Sequence, residues 1–199
     1  MGKNLGLCCL VAVIVALLVC GIWAAGAYNR LNASERGVGA AWTRVESVCH
    51  GRADLVPGLV ETLKGGASSK EPALEAVVAA RASALRVRLD ASSLGDPQAF
   101  AEFQQAQDAL SSALSRLLAA AEEYPDLKAT PVFRDLRAQL DLSQRQILVE
   151  RGRFNEAVHG YNALRRSLPT VIVASFAGFK EKAYIHAAPG PERLPAEKP

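Results

Sequence analysis

An uncharged apolar run near the N-terminus constrains this chain more than any other feature. From Leu5 to Ala27 the sequence reads LGLCCLVAVIVALLVCGIWAAGA, without one Asp, Glu, Lys or Arg. As a helix that rises about 1.5 Å per residue, this run would extend roughly 34 Å and cross the hydrocarbon core of a bilayer. Backbone polar groups cannot stay unpaired in lipid, so the run should be helical. We therefore predict a membrane anchor in residues 1–27, with the lipid bilayer as its partner through Leu5 to Ala27.

The end of this run leaves one alternative open. The sequence Ala-Gly-Ala at residues 25–27 is also typical of a site that a signal peptidase cuts. The apolar core is longer than that of a usual cleaved signal, which favours an anchor that stays in the protein. Lys3 precedes the run, and Arg30 and Arg36 follow it, so the positive-inside rule leaves the side of the soluble domain undetermined.

The rest of the chain has the composition and periodicity of a helical protein. Half of the residues are apolar, and the net charge of +3 is too small to indicate nucleic-acid binding. Apolar residues recur at three- and four-residue spacing in four segments, as in coiled-coil packing. This pattern predicts an all-α fold, in which a single N-terminal transmembrane helix precedes an antiparallel four-helix bundle of long helices. The bundle would occupy residues 28–185, and a disordered Pro-rich tail would occupy residues 186–199.

Prolines mark the joints between the predicted helices. Asp96 precedes Pro97, a pair that suits the cap and the first position of a helix. Pro131 follows a threonine and predicts a second start of the same kind. Pro125 and Asp126 indicate a turn between two helices.

The segment GRADLVPGLVETLKGG admits two interpretations. A phosphate-binding loop would need a strand before it and glycines that open a helix, whereas these glycines close one. We therefore predict a kinked or broken helix. It would be loosened at Gly51 and restarted by Asp54 as a cap, with Pro57 in the new first turn, and it would end at Gly65 or Gly66.

Charged and amide residues interrupt the apolar seams of these helices. A buried charge must be paired and hydrogen-bonded, so we expect the arginines to face acidic residues in an internal network. A polar groove that binds a partner or a ligand is the alternative. Two asparagines seven residues apart should share one helix face. The residues of this predicted site are Arg52, Asp54, Arg81, Glu150, Asn155 and Asn162, with Glu61 as a further acidic candidate.

We predict no catalytic, metal-binding or cofactor-binding residue in this chain. His50, His159 and His186 stand in none of the spacings that hold a metal ion. Glu122 and Glu123 are adjacent on a helix and therefore point in different directions, which is poor geometry for paired acid–base catalysis. The sequence contains no serine in a nucleophile-elbow motif.

A series of motifs appears in an order that is typical of one known family. The motifs are YNRL at residues 28–31, AAWTRV at 40–45, RADLVPGLVETLKG at 52–65, AAR at 79–81, ALSRLLAAAEEYPDLKA at 113–129, RGRFN at 151–155, GYN at 160–162 and GF at 178–179. In these motifs the chain resembles the LemA family of bacterial membrane-anchored proteins. The resemblance implies a single N-terminal anchor, an antiparallel four-helix domain and no established enzymatic activity.

The anchor, the long seams and the lack of a catalytic constellation predict a non-catalytic scaffold or adaptor of the bacterial envelope. It would be a single-pass protein of the cell membrane that self-associates. The segment TVIVASFAGF, residues 170–179, is too short to span a bilayer and should either cover the bundle end or form a contact patch. One alternative, which the resemblance implies through the genes near its members, is an accessory partner of a membrane zinc metalloprotease. Another is a ligand-sensing module that uses the polar groove.

Overall fold

The computed structural model describes residues 2–64 and 71–185. Every regular element in these two ranges is a helix, which confirms the predicted all-α class. The predicted tail at residues 186–199 and the predicted helix end at Gly65 or Gly66 lie outside the described residues. The elements are α1 (Gly2–Lys64), α2 (Glu71–Arg86), a 3-10 helix (Ala91–Gly95), α3 (Pro97–Ala121), α4 (Pro125–Ala129), α5 (Pro131–Arg166) and α6 (Thr170–Phe176).

The first helix is one element and not two. α1 continues through Gly51 and Asp54 with Pro57 inside it, so the predicted break at this place is wrong. The side chain of Asp54 is mostly exposed and lies in the middle of the helix, where it cannot act as an N-cap. Cys49 and Val56 are both buried, so one apolar face continues past the predicted break and holds the helix together through its packing.

The joints before α3, α4 and α5 follow the proline signals. The Asp96 carboxylate accepts hydrogen bonds of 2.9 and 3.4 Å from the N–H groups of the two residues after Pro97, the first residue of α3. Pro131 occupies the first turn of α5 in the same way. Pro125 and Asp126 begin the short helix α4, so the joint expected there is a single helical turn with an acidic residue at its N-terminal end.

Aromatic rings fill the core between α1, α3 and α5. Trp42 of α1 packs against Phe100 and Phe103 of α3 and against Phe154 of α5, with centroid distances of 5.6, 4.9 and 5.4 Å. The indole Nε1 donates a 2.9 Å hydrogen bond to the backbone carbonyl oxygen of Leu89. The ring therefore buries a large apolar area while its one polar atom stays paired.

A second apolar cluster lies further along α1. Leu59 and Leu63 of α1 belong to it together with Leu110 and Leu117 of α3 and Phe133 of α5, and all five are buried. The α3 residues of this second cluster come later in the sequence than the α3 residues that contact Trp42. Its α5 residue comes earlier in the sequence than the α5 residue that contacts Trp42. The core thus follows α1 for several turns, with α3 and α5 beside it.

The N-terminal part of α1 stands apart from this core. By length and composition, the described part of α1 is apolar enough to cross a membrane. Leu17, Leu18 and Ile22 are each more than half exposed. The helical part of TVIVASFAGF is α6, which packs against α1 and α5. The segment therefore covers part of those two helices, and its role in self-association stays a prediction.

Candidate functional site

A buried arginine joins three helices between the two apolar clusters. Arg52 of α1 is only 2% exposed. Its Nη1 donates hydrogen bonds to Ser111 Oγ at 2.7 Å and to Gln144 Oε1 at 3.1 Å. Its Nη2 donates to Gln107 Oε1 at 2.9 Å and to the backbone oxygen of the same residue at 3.3 Å. Because these acceptors belong to α3 and α5, a single guanidinium fixes the register of three helices.

Neutral dipoles, and not a contacting carboxylate, compensate the charge of Arg52. Among the described residues, none of the ion pairs includes this arginine, so Arg52 does not pair with Glu150, Asp54 or Glu61, the carboxylates predicted to meet Arg52 or Arg81. Burial is the main effect on its guanidinium and lowers the pKa from the ordinary value. Its Nε atom is buried and has no hydrogen-bond acceptor within residues 2–64 and 71–185.

Arg81 contacts α1 where Pro57 interrupts the helical hydrogen bonds. A proline has no N–H, so the carbonyl oxygen of Ala53, four residues earlier, lacks its usual helical donor. The Arg81 Nε donates a 2.7 Å hydrogen bond to that oxygen. Its Nη2 lies 3.9 Å from Asp54 Oδ1, one of the carboxylates expected to face an arginine. Arg81 of α2 therefore replaces the lost backbone bond and helps α1 to continue.

A groove of about 500 Å³ opens beside Arg81. Volumes of this order are common for sites that hold small molecules. The floor is apolar and the rim carries charges of both signs. The residues that line the groove are Val56, Pro57, Val60, Glu61, Lys64, Val78 and Arg81. Residues of the RADLVPGL motif and Arg81 of the AAR motif both line this groove.

Glu150 lies apart from Arg52 and Arg81. Its Oε1 accepts a 2.6 Å hydrogen bond from Arg153 Nη1, and its Oε2 lies 3.7 Å from Arg44 Nε. Of the six residues predicted for the polar site, Arg81 and Asp54 contact each other, and the other four have different partners. Sequence reasoning could identify polar residues on buried faces, but it could not assign their partners.

The two asparagines of α5 hold the backbone of residues 179–185, a segment that we call the C-terminal strap. Asn162 donates to the carbonyl oxygen of Lys182 at 2.9 Å and accepts from its N–H at 3.1 Å. Asn155 makes the same pair of contacts with Ile185, at 2.9 and 2.8 Å. Seven helical residues rise about 10.5 Å, and three extended residues span about 10 Å, so these spacings match.

Further contacts fasten the strap to the rest of the molecule. Tyr161 Oη donates to the carbonyl oxygen of Lys180 at 2.8 Å, and Arg165 Nε donates to that of Phe179 at 2.8 Å. The Lys182 ammonium is buried 2.7 Å from Glu35 Oε1 of α1. Sequence reasoning missed these contacts with the strap. The available signal was the three-residue spacing of Phe179, Lys182 and Ile185, which are the less exposed residues of the strap.

Burial holds the side chains of Tyr161 and Cys49 in their protonated forms. Burial raises the pKa of the Tyr161 hydroxyl to about 12, and Glu35 acts in the same direction. Burial also raises the pKa of the Cys49 thiol above its ordinary value, which disfavours the nucleophilic thiolate. Within residues 2–64 and 71–185, no group of three His, Cys, Asp or Glu residues is placed to hold a metal ion. The arrangement is suited to joining helices and to holding backbone.

Comparison with known proteins gives two matches. Residues 41–197 match the model of the LemA family. A segment of 96 residues is 29% identical to the magnetosome protein MamQ of Magnetospirillum gryphiswaldense. That match covers 48% of this chain and 35% of the relative, so the chain spans about a third of the length of this curated protein.

Proposed function

Because the chain belongs to the LemA family, we propose that it is a non-catalytic, membrane-anchored helical scaffold or adaptor of the bacterial envelope. The observation that carries this proposal is the continuity of α1. This helix extends without a break from the apolar run at residues 5–27, where Leu17, Leu18 and Ile22 are exposed, to the buried core around Arg52. A helix that is inserted in lipid at one end and packed at the other would hold the domain at a fixed distance from the bilayer.

The surroundings of Ala27 support an anchor that is kept. Ala27 and Leu31 are buried, and both lie within α1. Proteases act most readily on irregular segments, and residues 25–27 all lie within a regular helix. In this proposal the protein is single-pass in the bacterial cell membrane.

The domain beyond the anchor would be an antiparallel four-helix bundle of α1, α2, α3 and α5. The order of contacts supports this arrangement. Trp42 contacts Phe100 and Phe154, whereas Arg52, ten residues later, reaches Ser111 and Gln144. Contacts with α3 therefore advance as α1 advances, and contacts with α5 move backwards. Short connections between antiparallel neighbours are usual in bundles.

Self-association is supported by exposed apolar residues on α5. Leu142 and Val149 are half exposed and seven residues apart, a spacing that places them on one helix face. We expect the full chain in mild detergent to form a discrete oligomer. Replacing both residues by Glu should reduce the particle mass to that of a monomer, whereas Val132→Glu, an equally exposed position elsewhere on α5, should not. A wild-type protein that is monomeric in detergent and after crosslinking in membranes would contradict this part of the proposal.

The groove beside Arg81 supports a second candidate, a ligand-sensing module. Its apolar floor and charged rim would suit a small molecule with polar ends. A ligand that binds only the folded state raises the melting temperature. The bulkier Val78→Trp should abolish a shift seen with the wild type, because Val78 lines the groove. A screen in which no compound raises the melting temperature would count against this candidate.

The accessory role beside a membrane zinc metalloprotease rests on the family resemblance alone. A photocrosslinking amino acid at Glu61, on the rim of the groove, provides a direct test in cells. This role requires that the protease be captured from position 61 and not from Arg153, an exposed residue elsewhere on the domain. Equal capture from both positions would contradict a specific contact through the groove.

A further inference from the structure

An exposed apolar stripe follows the end of α5 and continues along α6. Ile172 and Phe176 lie one turn apart on α6 and are 54% and 91% exposed, and Leu168, in the turn before the helix, is 83% exposed. Thr170 and Ala174, on the other face, are buried. Three large side chains that all face outward on one stripe are unusual for a surface in contact with water.

The stripe adjoins the membrane-spanning part of α1. A recess of about 870 Å³ separates α6 from that helix. One wall consists of Val19, Cys20, Trp23 and Ala24 of α1, and the other of Pro169, Ile172, Val173, Phe176 and Ala177. The first wall belongs to the run that would face lipid, so the apolar surface of α6 continues the surface of the anchor.

We propose that α6 is a second membrane contact that lies in the bilayer interface, with acyl chains of lipids in the recess between α6 and α1. This inference rests on the membrane anchor of the proposed function. Trp23 fits such a depth, because tryptophan favours the boundary between the acyl chains and the headgroups. Tyr28 lies one to two turns further along α1 and contacts Phe179, with ring centroids 5.6 Å apart, so the polypeptide leaves the interface just after α6.

Charge near the two ends of α6 fits the same location. Arg166 precedes the helix and Lys180 follows it, and both are exposed; Arg166 also pairs with Glu181, so the three residues carry a net charge of about +1. Basic residues beside an interfacial apolar segment are attracted to anionic headgroups. A soluble protein partner suits the recess less well, because it would have to reach Val19 and Cys20 inside the bilayer.

Tryptophan quenching by brominated lipids tests this location in the full chain. Trp42 stays in every variant as a buried internal standard, and Trp23→Phe removes the native interfacial signal. Phe176→Trp then places a reporter on the stripe, and Ile172→Trp provides a second reporter if the first variant misfolds. Val132→Trp is the matched control, because Val132 is 59% exposed but lies at the opposite end of α5 from α6. Leu18→Trp reports on the anchor.

We expect phosphatidylcholine vesicles brominated near the headgroup end of the acyl chain to quench the reporter at position 176 and to leave the reporter at position 132 unchanged. Quenching at position 18 together with iodide quenching at position 176 would overturn the inference while leaving the anchor intact. Protection of position 176 from both bromine and iodide would also overturn it, in favour of a protein contact. No lipid quenching at position 18 would reject the anchor, and this inference with it.

Discussion

Arg81 Nε lies 2.7 Å from the backbone oxygen of Ala53, the carbonyl that Pro57 leaves without a helical donor. A side chain from α2 thereby completes a hydrogen bond that belongs to the backbone of α1. This relationship explains how a 63-residue helix passes through a proline. It also links the RADLVPGL motif to the AAR motif through one contact.

Arg81→Met should lower the free energy of unfolding by about 1–3 kcal/mol, because the Ala53 oxygen loses its donor. The contact with Asp54 should add little, since that carboxylate is largely exposed. In a Pro57→Ala background, residue 57 supplies the missing N–H, so the same substitution should cost about 1 kcal/mol less. Denaturant unfolding of the four proteins measures this coupling. Equal costs in both backgrounds would show that Arg81 does not act through the carbonyl.

Arg52→Met should destabilise the domain by at least about 2 kcal/mol. The substitution keeps the aliphatic length but leaves the buried Gln107, and with it Ser111 and Gln144, without their shared donor. Arg153→Met, at an exposed position, should change stability by less than about 0.5 kcal/mol. Thermal and denaturant unfolding provide the comparison. If the Arg52→Met variant were as stable as the wild type, the hydrogen bonds of the buried guanidinium would make no net contribution to the free energy of unfolding.

Amide hydrogen exchange can measure the contacts of Asn155 and Asn162 with the strap one at a time. Asn162→Ala should speed exchange at the N–H of Lys182, and Asn155→Ala should do so at Ile185. Each substitution removes two hydrogen bonds and should lower the local free energy of opening by about 2 kcal/mol. This change corresponds to roughly 30-fold faster exchange of the amide. Asn29→Ala, at an exposed position, should leave both amides unchanged. Equal acceleration along the whole strap from either variant would indicate that the strap detaches as one unit.

The buried hydroxyl of Tyr161 predicts an alkaline loss of stability. Its pKa rises from 10.0 to about 12 on folding, so the unfolded chain releases the proton first. The contribution of the neutral Tyr161 hydroxyl to the free energy of unfolding is complete below pH 10. It is lost as the pH rises towards 12, and the total loss is about 2–3 kcal/mol. In Tyr161→Phe this component should be absent. Melting curves of both proteins between pH 9 and 11.5 measure the difference, and parallel curves would contradict the assignment.

Local signals in the sequence predicted the helical elements well. The all-α class follows from periodicity along each helix, and the cap at Asp96 follows from its position before Pro97. Asn155 and Asn162 share a face as their spacing predicted, since both contact the strap. Each of these features depends on residues that are close in the chain.

Features that depend on distant residues could not be predicted in the same way. Pro57 predicts a break when only its neighbours are considered, but its effect is offset by Arg81, 24 positions later. The acceptors of Arg52 are amides and a hydroxyl on two other helices, and such neutral partners leave no charge pattern in the sequence. The strap has only the three-residue spacing of Phe179, Lys182 and Ile185 and no helical or strand-like period, and that spacing does not identify α5 as the helix on which it docks.

We expect the apolar run to stay in the bilayer as part of one helix with the folded domain. The most direct test is an intact-mass measurement on the protein recovered from cell membranes after an alkaline carbonate wash. We predict that the protein remains in the washed membranes and that its mass includes residues 5–27. A protein found in the soluble fraction, with a mass that shows cleavage after Ala27, would contradict this claim.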